Sequence, residues 1–288
     1  MTDAPKPPRV ILAPNPSPLT GAGTNTFLLG QAQIAVIDPG PDLPEHRARI
    51  LAEAGPGRIT HILVTHAHRD HSEGARALAE ATGAPVFGFG APEAGRSPLM
   101  QRLARQGDLA GGEGMDHGFM PDVLLADGDS LSCEEWELHA LHTPGHFAGH
   151  LAFRSGAQIF CGDLVMGWSS TLISPPDGDL GDYFRSLSRL EALAPAILFP
   201  AHGPAVTDPA LRIAELAAHR RQRTGQIMAA LTTAPASASE IAARIYDVPE
   251  HLLPAATRNV LAHLIALAEI GAARPLEELH AAARFSRS

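Results

Sequence analysis

Ile59-Thr60-His61-Ile62-Leu63-Val64-Thr65-His66-Ala67-His68-Arg69-Asp70-His71 decides how this chain folds. Its first six residues are mostly apolar or β-branched and predict a buried strand. A strand end is a rigid place from which to aim side chains. The residues that follow set three imidazoles and one carboxylate within six positions, His66 to His71. In an extended turn, alternate residues can meet one metal while the next pair meets a second, so the spacing points to metal ligation.

Outward from this stretch, short apolar runs alternate with helical patterns, which predicts an α/β fold. Thr26–Leu29 and Ile34–Ile37 flank Gly30 as a hairpin, and Asp38-Pro39-Gly40 breaks the second strand. Leu43–Ala54 reads as a helix stopped by Gly55-Pro56-Gly57. A short helix over Gly74–Thr82 and a strand over Pro85–Phe89 follow. Residues 90–121 are rich in Gly, Pro and Met and read as a long excursion with one helix near Pro98–Arg105. Strands are expected at Val123–Leu125, Trp136–Leu141, Leu151–Phe153, Ile159–Phe160 and Ala196–Phe199, with a helix over Asp182–Leu193.

Three of these strands end on a ligand-type residue beside a glycine: Thr143-Pro144-Gly145-His146, Cys161-Gly162-Asp163 and Pro200-Ala201-His202-Gly203. Any one of them would read as a capped turn. With the first motif they supply seven groups, His66, His68, Asp70, His71, His146, Asp163 and His202, a number suited to two adjacent metals with one shared carboxylate. The histidine count agrees. Nine of 15 fall within residues 61–71, 139–150 and at 202.

Composition sets the outer limits. A chain of 288 residues with 45% hydrophobic and 18% charged residues can bury a large core, which excludes a disordered chain. Two cysteines, Cys133 and Cys161, exclude a disulfide scaffold. There is no run of 18 apolar residues, and the proline-rich Met1–Pro18 is unlike a secretory signal, so a cytoplasmic protein without a membrane segment is expected. Residues 1–209 carry 13 Lys+Arg against 24 Asp+Glu, a net of −11, whereas residues 210–288 carry 9 against 7. Such an acidic part suits cations better than nucleic acid.

After Pro209 the pattern changes. Ala210–Leu231 reads as a long connector helix with Arg220, Arg221 and Arg223 in its middle. Ser237–Tyr246 opens with a serine-rich cap, and Pro249–Ile270 has apolar residues at helical spacing. A strand-like tail, Ala272–Phe285, closes the chain. Three helices and a hairpin make a winged-helix-like unit, so the expected division is 1–209 and 210–288.

The H-x-H-x-D-H run with the later His146, Asp163 and His202 resembles the metallo-β-lactamase superfamily. That resemblance implies an αββα sandwich, two facing mixed sheets with helices outside, followed here by the small winged-helix-like domain. It implies that His66, His68 and His146 hold one divalent metal, that Asp70, His71 and His202 hold another, and that Asp163 bridges them. Zinc is the expected metal, with iron or manganese as substitutes. Ser239–Arg244, Pro249-Glu250-His251-Leu252 and Arg258–Leu264 resemble the tail of the β-lactamase-like protein 2 group, similar to endoribonucleases acting on single-stranded RNA. Asn25–Leu29 and Ile37–Gly40 resemble its N-terminal signatures. In true metallo-β-lactamases the position of Asp163 is usually cysteine or serine, which argues against antibiotic hydrolysis.

Two such metals would activate a water by lowering its pKa from about 15.7 toward neutrality. Asp70 is expected to bind one metal and accept a hydrogen bond from the resulting hydroxide. Asp38 reads equally as a carboxylate orienting a ligand imidazole and as a strand-ending Asp-Pro turn. His61 reads as a packed or edge residue, and His142 and His150 flank His146, His142 reading as part of a structural turn ahead of a contact to the leaving group or substrate. Met115, Phe119, Met120 and Trp168 read as exposed loop packing ahead of a pocket lining. The expected substrate is single-stranded RNA or another phosphodiester. The alternative is a small ester or thioester, as in hydroxyacylglutathione hydrolase, whose lysine grip on its substrate would here need arginines because Lys6 is the only lysine. The arginine run could serve phosphates, although such runs are usually solvated, and the tail could also serve as a homodimer contact.

Overall fold

A computed structural model describes residues 6–107, 109, 114–232 and 234–288. Two sheets face each other. The first holds β1 (Arg9–Leu12), β2 (Asn25–Leu29), β3 (Gln33–Ile37), β4 (Arg58–Leu63), β5 (Val86–Gly88) and β6 (Val123–Leu124) in sequential order. Its β1–β2 and β2–β3 pairs are antiparallel and the rest parallel. The second runs β11 (Ile197–Pro200), β10 (Gln158–Gly162), β9 (Leu151–Ser155), β8 (Glu137–His142), β7 (Ser130–Ser132), and only β10–β11 is parallel.

Strand alternation explains the apolar runs. In β3, Ala35 and Ile37 face the inter-sheet core, whereas Ile34 and Val36 face the outer helices. Burial on both faces demands a continuous apolar run. The inter-sheet core is aromatic: Phe27 meets Phe160 edge-on at 5.1 Å, and Phe160 stacks on Phe199 at 5.2 Å. Outside the first sheet lie α1 (Pro44–Ala54), the single turn α2 (Arg69–Ser72) and α3 (Ala75–Thr82), with Ile50 and Leu78 in that outer core. Helix α4 (Pro98–Gln106) follows in the excursion. Outside the second sheet lie α5 (Leu180–Ala192) and the start of α6 (Pro209–Ala230), with Leu187, Leu190, Ile213 and Leu216. This is the expected αββα sandwich.

The C-terminal part contains the end of α6, α7 (Ala238–Ile245), α8 (Leu253–Glu269) and a small sheet ordered β12 (Ala236–Ser237), β14 (Arg284–Arg287), β13 (Ala273–Pro275). Helix α7 begins with a reciprocal cap: the Ser237 hydroxyl accepts from Glu240 N, and the Glu240 carboxylate accepts from Ser237 N at 2.7 Å. Three helices and a small sheet form the expected winged helix.

Several local expectations change. Helix α4 buries Met100 and Leu103 in the core of the C-terminal domain, so the excursion braces that domain. Met115 and Phe119 are buried against the first sheet rather than packed on an exposed loop. Asp108 and residues 110–113 of the excursion lie outside the described residues. The arginine run is a solvated face only in part: Arg221 is exposed, 5.6 Å over the Phe184 ring, whereas Arg220 is 2% exposed and Arg223 lies 4.0 Å from the Tyr246 ring centroid. Strand β1, within the proline-rich start, was not expected. Only Ile11 of its four residues is buried, so periodicity could not reveal it.

Candidate metal centre

The seven expected residues converge at one end of the sandwich. Strand β4 delivers His66 and His68, and α2 then turns Asp70 and His71 back toward them. Loops after β8, β10 and β11 bring His146, Asp163 and His202. His66, His68 and His146 present three nitrogens to one point, with His68 Nδ1 2.9 Å from His66 Nε2 and 3.1 Å from His146 Nε2. Asp70, His71 and His202 form the adjoining group, with Asp70 Oδ2 3.4 Å from His71 Nε2 and 3.3 Å from His202 Nε2. Asp163 lies between them. One oxygen is 3.7 Å from His146 Nε2, and the other is 3.6 and 3.4 Å from the Nε2 atoms of His71 and His202.

Outer hydrogen bonds determine which nitrogen of each ring faces inward. A carbonyl or carboxylate can only accept, so the ring nitrogen bonded to it must carry hydrogen. His146 Nδ1 donates to Leu172 O at 2.7 Å, and His202 Nδ1 donates to Gly23 O at 3.1 Å. His71 Nδ1 donates to Asp38 Oδ2 at 2.9 Å. The Thr65 hydroxyl donates to the same Asp38 oxygen at 2.8 Å, which leaves its oxygen to accept from His66 Nδ1 at 3.0 Å. Each of these four rings therefore turns Nε2 toward the centre, the arrangement that suits metal ligation.

Asp38 fills both of the roles open to it. It ends β3 at φ 51°, and its carboxylate accepts from Thr65 N, Thr65 Oγ1 and His71 while 1% exposed. His150 lies behind the centre. Asp163 N donates to its Nε2 at 3.3 Å, and its Nδ1 donates to Thr143 Oγ1 at 2.9 Å. Gly162, at φ 49°, leaves room for it, since a Cβ there would stand 2.5 Å from His150 Nε2. His142 donates to Ala148 O and stacks on Phe89, and His61 packs between Phe87 and Trp136. Both are structural, as expected. Thr65, Thr24 (which donates to Asp70 at 3.2 Å) and the carbonyls of Gly23 and Leu172 escaped the sequence reading. A carbonyl leaves no trace in side-chain identity.

The two halves differ electrostatically. Burial, then neighbouring imidazoles, push His66 well below its usual pKa and His68 down to about 3, and burial lowers His146 too, so this side favours the neutral rings that offer lone pairs. For His71 and His202 burial acts the same way but is outweighed. Asp70, Asp163 and Asp38 raise His71 well above its usual value, and Asp163 with Asp70 lifts His202 to about 10. Burial opposes ionisation of Asp70 and Asp163, yet the two histidines hold both carboxyls well below the usual range. This side is built around cationic charge. His71 Nε2 and Asp163 Oδ1 are buried without a hydrogen-bond partner, a costly state for polar groups that a bound cation would relieve. The donor set therefore fits divalent metals. Cys161, buried and bonded to Val165 O, is no part of it, and burial pushes its thiol up.

The metallo-β-lactamase superfamily pattern matches residues 19–202, and the β-lactamase-associated winged helix domain pattern matches residues 237–284. The β-lactamase-like protein 2 homolog of Drosophila melanogaster is 31% identical, covering 92% of this chain and 88% of that protein. An atrochrysone carboxyl ACP thioesterase of Aspergillus chevalieri is 33% identical over 78% of this chain and 66% of its own length. A metallo-β-lactamase family protein of Thermus thermophilus superimposes with a TM-score of 0.79 at 26% identity, covering 98% of both chains. A protein solved in a di-iron-bound form is 33% identical with a TM-score of 0.51, over 69% of this chain and 94% of that one. With its αββα sandwich, its strand-end His/Asp cluster and its C-terminal winged helix, this chain belongs to the metallo-β-lactamase superfamily, whose members are generally metal-dependent hydrolases.

Proposed function

We propose that the chain hydrolyses small acyl thioesters at a centre of two divalent metals. The observation that carries the dinuclear reading is Asp163, which turns one oxygen toward each His-containing group. By this reading His66, His68 and His146 hold one metal, Asp70, His71 and His202 hold the other, and Asp163 serves both. Two bound metals would supply Lewis acidity and a water of lowered pKa. The chain's residues do the rest. Asp38, Gly23 O and Leu172 O keep ring protons on the outer nitrogens, and Asp70, with an oxygen facing both His71 and His202, is placed to accept a hydrogen bond from an incoming water and so orient it. Zinc, iron and manganese all suit a His/Asp site, so availability selects among them. The division at residue 209 belongs to the same reading, with sandwich residues as ligands and α6 as connector.

Two observations favour a thioester. Trp168, 46% exposed, packs over Gly203 next to His202 and offers an apolar shoulder to an acyl chain. Of the arginines that could have met phosphates, Arg220 is turned inward on Thr171 and Arg223 packs on Tyr246, which leaves only Arg221 of the run exposed, 5.6 Å over Phe184. The thioesterase relative supports the same class. Single-stranded RNA is the second reading, favoured by the winged helix shared with the β-lactamase-like protein 2 relatives. Metal-reconstituted protein should release free thiol from short acyl-CoA or acyl-pantetheine thioesters, with activity lost in Asp163→Ala. Cleavage of end-labelled single-stranded RNA, lost in the same variant and without thiol release, would overturn the thioester reading in favour of the second.

A further inference from the structure

The outward nitrogen of His146 has one hydrogen bond, to Leu172 O at 2.7 Å, and that bond turns Nε2 toward the centre. Leu172 belongs to residues 163–179, which contain neither helix nor strand, so no ladder holds that carbonyl in place. Its two flanking residues are held from the C-terminal side of the molecule. Arg220 of α6 donates to Thr171 O, and Asn259 Oδ1 of α8 accepts from Ile173 N at 3.3 Å. The two side chains also bind each other, Arg220 Nη1 donating to Asn259 Oδ1 at 3.1 Å. Arg220 lies 5.6 Å over the Tyr183 ring and is 2% exposed. Burying a guanidinium is costly, and this one spends both terminal nitrogens on Thr171 O and Asn259 Oδ1 while its Nε is buried without a hydrogen-bond partner. Thr171 Oγ1 closes the unit by donating to Asp163 O at 2.7 Å.

We propose that Arg220 and Asn259 are positioning residues for the His66/His68/His146 metal, so that the C-terminal domain is a working part of the centre. The inference rests on the two-metal reading above. It makes an asymmetric demand: His71 and His202 are oriented by Asp38 and Gly23, residues of the sandwich, so the clamp should act on one metal and leave the other alone.

The experiment titrates chelator-stripped full-length protein with Co(II), followed by visible absorption, and with Zn(II) against a chromophoric competitor. Melting is monitored in parallel. Asn259→Leu removes the shared acceptor at similar size, and Asn259→Asp keeps it. Arg220→Met removes the guanidinium, and Arg223→Met removes a neighbouring arginine that bonds Ile245 O instead. In Asn259→Leu and Arg220→Met, one ion should bind about 10–100-fold more weakly and the other as in the parent. Asn259→Asp should restore parental binding, and Arg223→Met should bind both ions normally whatever its melting temperature. Equal weakening of both ions, or no weakening in Asn259→Leu, would overturn the proposal as a matter of general stability or of no coupling. If Arg220→Met fails to fold, the Asn259 pair decides alone. A parent protein that takes up no metal would overturn the metal reading, and this proposal with it.

Discussion

Replacing Asp38 by asparagine separates the orientation of His71 from the packing around it. The carboxylate accepts three hydrogen bonds, from Thr65 N at 2.7 Å, Thr65 Oγ1 at 2.8 Å and His71 Nδ1 at 2.9 Å. Asparagine keeps the shape, and its oxygen can still accept from Thr65 N. Its amide group then faces the Thr65 hydroxyl and His71 Nδ1 with hydrogens. The hydroxyl can rotate and accept. His71 must give up its Nδ1 proton and carry it on Nε2, the atom facing Asp70 and Asp163. A proton there competes with metal. One of two Zn(II) ions should then bind about 10–100-fold more weakly, or about 1.4–2.8 kcal/mol. The melting temperature should stay close to parental because shape and most hydrogen bonds survive. Asp38→Ala, by contrast, leaves three buried donors unsatisfied at about 1–3 kcal/mol each and should lower stability as well. Zinc titration against a chelator and thermal melting by circular dichroism read the two effects separately. If Asp38→Asn binds both ions as tightly as the parent, Asp38 does not control the His71 proton and the orienting argument fails.

Gly145→Ala should destabilise the fold by about 2–4 kcal/mol in denaturant titration, because Gly145 sits at φ 147° and a Cβ would come 2.5 Å from Tyr183 Cα. Ser237→Ala should cost about 1 kcal/mol by removing the α7 cap while leaving metal content unchanged. Burial pulls His46 down to about 4 and His263 to about 3. The unfolded chain takes up protons at these positions near the usual 6.5, so stability is present above that pH and lost as pH falls toward 4. Each ring contributes a slope of up to about 1.4 kcal/mol per pH unit. A His46→Gln/His263→Gln double variant should melt with a shallower pH dependence than the parent over that window, and an unchanged slope would contradict the assignment.

By itself the sequence determined the ligand-type residues, the strands that carry them and the α/β class, because burial on both faces requires continuous apolar runs and the His/Asp residues follow those runs at once. The αββα layering came from the resemblance of the H-x-H-x-D-H run and its later partners to the metallo-β-lactamase superfamily. The winged helix was legible from the Ser237 cap and the apolar spacing of 249–270. Edge strands such as β1, with one buried residue, carry too little periodicity to read.

Only the tertiary structure decided what surrounds the cluster. Whether Asp38 was a turn residue or an orienting carboxylate depended on where His71 and Thr65 would lie. The acceptors of His146 and His202 are backbone carbonyls, which every residue possesses, so no residue type could mark them. Arg220 reads as an ordinary surface charge until packing places Thr171, Tyr183 and Asn259 around it. Residue identity records which chemistry a side chain can perform. The partner that puts that chemistry to use is set by contacts between positions 26 to 179 residues apart, and those contacts exist only once the sheets have closed.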